Sequence, residues 1–106
     1  MHLQVTTTVD SREAADRLAA SLVSERLAAC VQVVGPVAST YRWKGTVETA
    51  TEWYCHAKTT GERFEALRAR IAELHPYDVP EIIALPIVAG HPPYLAWLEA
   101  ETRPTE

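Results

Sequence analysis

Two long β-patterned stretches, residues 29–43 and 47–58, meet at the short turn Lys44-Gly45, so any fold for this chain must accommodate one long hairpin. In the second stretch Val47, Trp53, Cys55 and Ala57 fall on one face, while Glu48, Glu52, Tyr54, His56 and Lys58 fall on the other. The first stretch is interrupted by Gly35-Pro36, which predicts two strand segments with a bulge or bend between them. A shorter Val- and Thr-rich strand is expected over residues 3–9, ending at Asp10. Asp10 followed by Glu13 reads as a capping box. Ala15, Leu18, Ala19, Leu22, Val23 and Leu27 then recur at the spacing of one helical face, predicting a helix of about four turns.

Beyond the hairpin, Thr60 can cap a second helix whose apolar positions Phe64, Leu67, Ile71 and Leu74 keep the helical period until Pro76 stops it. A fourth strand over residues 82–88 is continuously apolar, which suggests burial on both faces and hence a central strand or a subunit contact. Pro92 and Pro93 suit the start of a short terminal helix carrying Tyr94, Leu95, Trp97 and Leu98, and residues 102–106 read as a frayed tail. The order β-α-β-β-α-β defines an α+β, ferredoxin-like domain with a short C-terminal helix, and the 106 residues fit one domain. Both helices then cover one face of the sheet and leave the other bare, with Tyr and Trp side chains of the hairpin on it. A homo-oligomer covering that face is the simplest remedy for an aromatic patch. The alternative turns Trp43, Trp53 and Trp97 into the core of a single chain.

Composition excludes several function classes. A net charge of −4 argues against non-specific nucleic-acid binding, and Arg63, Arg68 and Arg70 alternate with Glu62, Glu65 and Glu73 as on a solvated helix face. No apolar run approaches the roughly 18–20 residues of a membrane span. The N-terminal residues form neither a basic n-region nor an apolar h-region, and Cys30 and Cys55 make no CxxC pattern, so a cytoplasmic protein with reduced thiols is expected.

Functional groups concentrate between Pro76 and Pro80. Proline restrains its own φ and the residue before it, so His75 and Val79 are biased to extended backbone and the loop is stiff. Such a loop serves as a strand lead-in or as one wall of a site. His75 is a metal ligand or proton-transfer group, or else a helix C-terminal histidine satisfying carbonyls. Asp78 and Glu81 can join it in a carboxylate–imidazole cluster, although the spacing matches no established metal motif. Cys30, at a helix-to-strand joint, reads as a small buried residue or as a thiolate ligand. Cys55 and His56 point to opposite faces of their strand and cannot share one mononuclear site. Lys58 and Arg42 can hold an anion or make salt bridges. There is no Gly-rich phosphate loop and no placeable nucleophile–base pair, so no catalytic residue is assigned.

Five co-linear blocks carry a resemblance. Residues 26–31 (RLAACV), 39–45 (STYRWKG), 58–60 (KTT), 75–77 (HPY) with 80–82 (PEI), and 94–98 (YLAWL) are similar, in order and spacing, to the CutA divalent-cation tolerance family. The resemblance covers nearly the whole chain. It implies a ferredoxin-like fold assembled through the long strands as a homotrimer similar in architecture to PII signalling proteins. It also implies a non-enzymatic role in tolerance of copper and other divalent cations, with no obligatory cofactor. Copper ligands assigned in the family are a cysteine at the end of the first strand and two consecutive histidines before Pro-Tyr. Here Thr7 and Leu74-His75 stand at those positions, so only His75 matches, and Glu81 or a neighbouring subunit would have to complete a Cu(II) site. The alternative reading is a PII-like sensor that takes a small anionic ligand at an intersubunit cleft, with Lys58 and Arg42 as cations, Tyr41, Trp43 and Tyr77 as walls, and Asp78 near by. A purely structural trimeric scaffold is the third.

Overall fold

The computed structural model describes residues 1–104, and elements follow the expected order. Strand β1 spans His2–Val9, helix α1 Arg12–Ser24, β2 Cys30–Trp43, β3 Thr46–Thr60, α2 Phe64–Leu74, β4 Ile83–Ile87 and α3 Pro92–Glu101. The four strands form one antiparallel sheet in the order β2-β3-β1-β4. The hairpin turns at Lys44 and Gly45, both with positive φ (49° and 81°), the pairing of a type I′ turn whose twist matches the flanking strands. The bend foreseen at Gly35-Pro36 is present as a register shift between Val34 and Val37, and the Gly35-Pro36 peptide is cis.

Odd-numbered β1 and β3 positions face α1 and α2. Val5 pairs with Ala57 and Thr7 with Cys55, and these positions join Ala15, Leu18, Leu22, Leu67 and Ile71 in the core. Leu22, Leu67 and Ile71 are each no more than 1% exposed. Burial of such a side chain stabilises the fold by about 1.5–3 kcal/mol.

Five expectations need correction. The α1 cap is Ser11, whose Oγ accepts from the Ala14 amide at 3.1 Å, because Ser11 rather than Asp10 stands next to the first helical residue. Leu27 lies beyond α1, which ends where Arg26 adopts φ 61°, yet Leu27 still packs in the core. Thr60 is the last residue of β3 and makes no capping bond, and a 3-10 turn over Gly61–Arg63 leads into α2. Within the chain β4 is an edge strand, with Ile83 49% and Leu85 53% exposed, so it is not central. The tail does not fray at once: Thr102 is buried with its Oγ1 donating to Leu98 O at 2.9 Å, and the Arg26 guanidinium donates to Ala100 O and Arg103 O. The last two residues of that expected tail, 105 and 106, lie outside the described residues.

The face opposite α1 and α2 is not wholly bare. Helix α3 is anchored on one end of it through His2–Glu99 at 2.7 Å and Cys30–Tyr94 at 3.5 Å. Towards the hairpin tip the face stays open. The three tryptophans do not all turn inward, since Trp53 packs on the core while Trp43 and Trp97 remain about two-fifths exposed (40% and 42%). On the helix surface, Arg68 pairs with Glu65 while Arg70 pairs with Glu25 and Glu73, the solvated pattern read from the sequence.

Candidate functional site

The segment between α2 and β4 folds back onto the end of β1. His75 ends α2 by turning extended (φ −78°, ψ 137°), as a residue before proline must. Its imidazole is buried against β1, with Nε2 2.8 Å from Thr8 O and Nδ1 3.1 Å from the Tyr77 amide. A carbonyl only accepts and an amide only donates, so the proton sits on Nε2 and the Nδ1 lone pair is already used. Burial holds the His75 pKa below its usual value, opposed in part by the Thr8 carbonyl and the Asp10 and Glu52 carboxylates. The Tyr77 ring stands edge-on to the imidazole at 4.7 Å, and its hydroxyl donates to Glu52 Oε2 at 2.7 Å. Glu52 is 7% exposed, on the middle of β3. Burial first, and then the Glu52 carboxylate, push the Tyr77 phenol far above its ordinary pKa.

The residues expected to form the cleft divide into two groups. Tyr41 lies close enough to Tyr77 to affect its ionisation, so Tyr41, Tyr77, Glu52 and His75 make one cluster beside the half of the hairpin nearer its tip. Asp78 and Glu81 are exposed on the same loop and make no side-chain hydrogen bond or ion pair among the described residues. Lys58 and Trp43 lie apart. Trp43 pairs with Thr46 at the tip, beneath the Lys44 ammonium at 5.8 Å, and Lys58 pairs with Cys30 twelve residues further along β3. That separation is about 40 Å of strand. Lys58 Nζ donates to Gln32 Oε1 at 2.6 Å, and Arg42 is exposed opposite Val47.

Three groups in or around the cluster had no functional signal in the sequence. Glu52 reads as an ordinary polar-face residue, the Thr8 carbonyl is backbone, and Asp10 reads as a helix cap. A second polar group was missed on the open face, where His56 Nδ1 accepts from Thr6 Oγ1 at 3.0 Å and the ring stacks on Tyr54 at 5.2 Å. Burial and the Lys58 charge hold the His56 pKa down. Cys55, on the other face as expected, is buried, donates to Ala15 O at 3.8 Å and has its thiol pushed up to about 11. It is an inert core thiol. Cys30 is half-buried and contacts the Tyr94 hydroxyl.

These positions do not fit a preformed copper site in one chain. Among the described residues no group of three or more His, Cys, Asp or Glu side chains is placed to hold a metal ion. A cation at His75 Nδ1 has to displace the Tyr77 amide. Thr7, where the resemblance implies a cysteine ligand, is 1% exposed on the helix-covered face, and its Oγ1 has no hydrogen-bond partner among the described residues.

A four-stranded antiparallel sheet with two helices on one face, a third across the end of the other and a histidine-capped loop defines a small ferredoxin-like α+β protein. A family model described as CutA1 divalent ion tolerance protein matches residues 3–101. The divalent-cation tolerance protein CutA of Thermus thermophilus is 50% identical over 95 residues, covering 90% of this chain and 92% of that protein. The chloroplastic protein CutA 1 of rice is 47% identical over 96 residues, covering 91% of this chain but 54% of that protein, so the chain spans about half of that longer relative. The solved structure of Cut A1 from Thermus thermophilus superposes with a TM-score of 0.95 at 48% identity, covering 97% of this chain and 100% of that one. A CutA from Archaeoglobus fulgidus, described as periplasmic, superposes at 0.94 with 36% identity and covers 97% and 100%. The chain belongs to the CutA1 divalent ion tolerance family.

Proposed function

We propose that the protein serves divalent-cation tolerance as a homotrimer with no catalytic chemistry of its own. One observation carries the reading: beyond α3, the open sheet face presents Val34, Tyr41 and Trp43 along β2 and Ile83 and Leu85 along β4, each 40–53% exposed, on the two edges that flank the more polar β3 and β1. Monomeric proteins rarely leave large apolar side chains uncovered along both edges of one sheet face. Covering it with further copies lets Lys58 and Trp43, far apart in one chain, meet the loop bearing Tyr77 and Asp78 across an intersubunit cleft with Tyr41. The family described above supports the divalent-cation role. Copper(II) affinity is expected to be weak unless a neighbouring copy adds donors to His75 and Glu81, because the Nδ1 lone pair is engaged. Both cysteines are free thiols, which supports a cytoplasmic location.

Native mass spectrometry with and without Cu(II) tests assembly and stoichiometry together. A trimer with integral, chelator-reversible copper per subunit supports the proposal. A monomer overturns it, and a trimer that stays metal-free removes the metal-binding half. In that case the PII-like sensor gains ground, on the observation that neither Lys58 nor Arg42 meets a carboxylate among the described residues. A melting shift with an anionic metabolite in the presence of chelator identifies that sensor. No response to any ligand leaves the scaffold.

A further inference from the structure

On the helix-covered side, away from the open sheet face, a cavity of about 300 Å³ lies between one stripe of α1 and the end of α2. Its walls include Val9, Ala14, Leu18, Leu74 and Pro76, with Asp10 and Arg17 as its charged groups. Ala14, Arg17, Leu18 and Ser21 follow the i, i+3, i+4, i+7 spacing that puts them on one helical face. The volume is at the lower end of ligand pockets, on the order of 300–1,000 Å³.

The charges decide what fits. Asp10 and Arg17 line the same cavity, yet they form no ion pair with each other or with any other described residue. Their neighbours Arg12 and Asp16 pair with each other at 3.1 Å, which leaves Asp10 and Arg17 available to a ligand. The Asp10 carboxylate sits on the His75 side, where it affects the ionisation of both His75 and Tyr77. The end of α2 adds negative potential there, since its last turn carries no basic residue. One region of the cavity therefore favours a cation, while Arg17 offers a planar donor for a carboxylate. Between them the walls are mainly aliphatic, with Ser11, Ser21 and His75 as their uncharged polar groups.

We propose that this cavity binds a small zwitterion of the free α-amino-acid class with an aliphatic side chain. The ammonium faces Asp10 and the C-terminal carbonyls of α2, the carboxylate faces Arg17, and the side chain lies against Ala14, Leu18, Leu74 and Pro76. His75 also lines the cavity, so the titration is run with chelator present, which makes its outcome independent of Cu(II) binding and of the proposed function.

L-leucine is the probe, titrated into the whole protein and read by calorimetry and by amide chemical shifts. The expected result is saturable binding with the largest shifts at Ala14, Arg17, Leu18 and Ser21. L-leucinamide, which lacks the carboxylate, and N-acetyl-L-leucine, which lacks the ammonium, should each bind at least tenfold more weakly. Arg17→Gln and Asp10→Asn should each weaken L-leucine by a similar factor. The proposal is overturned by the absence of saturable binding, by shifts confined to another surface, or by analogues that bind as tightly as L-leucine. The analogue comparison uses the unmodified protein, so it decides the matter even if a variant folds poorly.

Discussion

Replacing Tyr77 with phenylalanine removes one oxygen and tests whether loop 75–82 is held by the Tyr77–Glu52 hydrogen bond. The bond is 2.7 Å long, its acceptor is a carboxylate 7% exposed, and Glu52 has no other side-chain hydrogen bond among the described residues. A hydrogen bond to a charged group contributes about 1.5–3 kcal/mol, and a buried acceptor left without its donor costs the desolvation as well. Tyr77→Phe should therefore destabilise the chain by about 2–3 kcal/mol. Glu52→Gln keeps an acceptor and removes the charge, so it should cost less. In Tyr77→Phe/Glu52→Gln no carboxylate remains to be stranded, and the double variant should be about 1–2 kcal/mol more stable than the sum of the single losses predicts. Equilibrium denaturation of all four proteins gives the cycle, with protomer concentration held constant because an oligomer's stability depends on it. If Tyr77→Phe lies within about 0.5 kcal/mol of the parent, or the two substitutions are additive, the bond does not hold the loop.

Other expected outcomes rest on separate contacts. The lowered pKa of His75 makes a stabilising contribution that is complete above about pH 6.5, where the unfolded imidazole is also neutral, and is lost as pH falls towards the folded value. Stability measured down to pH 4 should fall over that range, and the part due to this residue should vanish in His75→Gln; an unchanged slope would remove the assignment. Thr7→Val deletes a buried hydroxyl that has no partner among the described residues while keeping the side-chain shape, so it should raise stability by about 1 kcal/mol in the same denaturation assay. Gly35→Ala should lose about 1–3 kcal/mol, because a Cβ there would lie 2.6 Å from Trp53 Cδ1 and 3.1 Å from Glu52 O. An undiminished melting temperature would mean that the Trp53 ring moves aside freely.

What the sequence disclosed and what it hid divide along the range of the interactions. The turn at Lys44-Gly45, the break at Gly35-Pro36, the apolar stripes of α1 and α2 and the stop at Pro76 are local. Each was readable because the residues that specify it are neighbours. His75 and Glu52 are different, since their partners lie 67 and 25 residues away. No pattern of nearby residues says that a histidine before proline will spend both ring nitrogens on backbone groups, or that a glutamate on a strand's polar face will be buried under a tyrosine. The apolar run of β4 shows a further limit, because hydrophobicity signals that a surface needs covering without saying which chain covers it. A both-faces-buried strand and an edge strand awaiting another copy have the same sequence.

The same distinction bears on the copper-ligand positions that the resemblance implies. Histidine recurs at the expected position, but its Nδ1 lone pair is held by an amide two residues away. Thr7 supplies a buried hydroxyl on the helix-covered side of the sheet where a thiolate would be needed. A soft cation gains little from exchanging a satisfied hydrogen bond for one imidazole without a thiolate. His75 therefore does structural work in this chain: it closes α2, ties the loop to β1 and sets Tyr77 over Glu52. If His75→Ala lowers stability while leaving the Cu(II) content of the assembled protein unchanged, that structural role is the whole of its contribution. A loss of bound copper from an assembly that remains intact would return His75 to the ligand set.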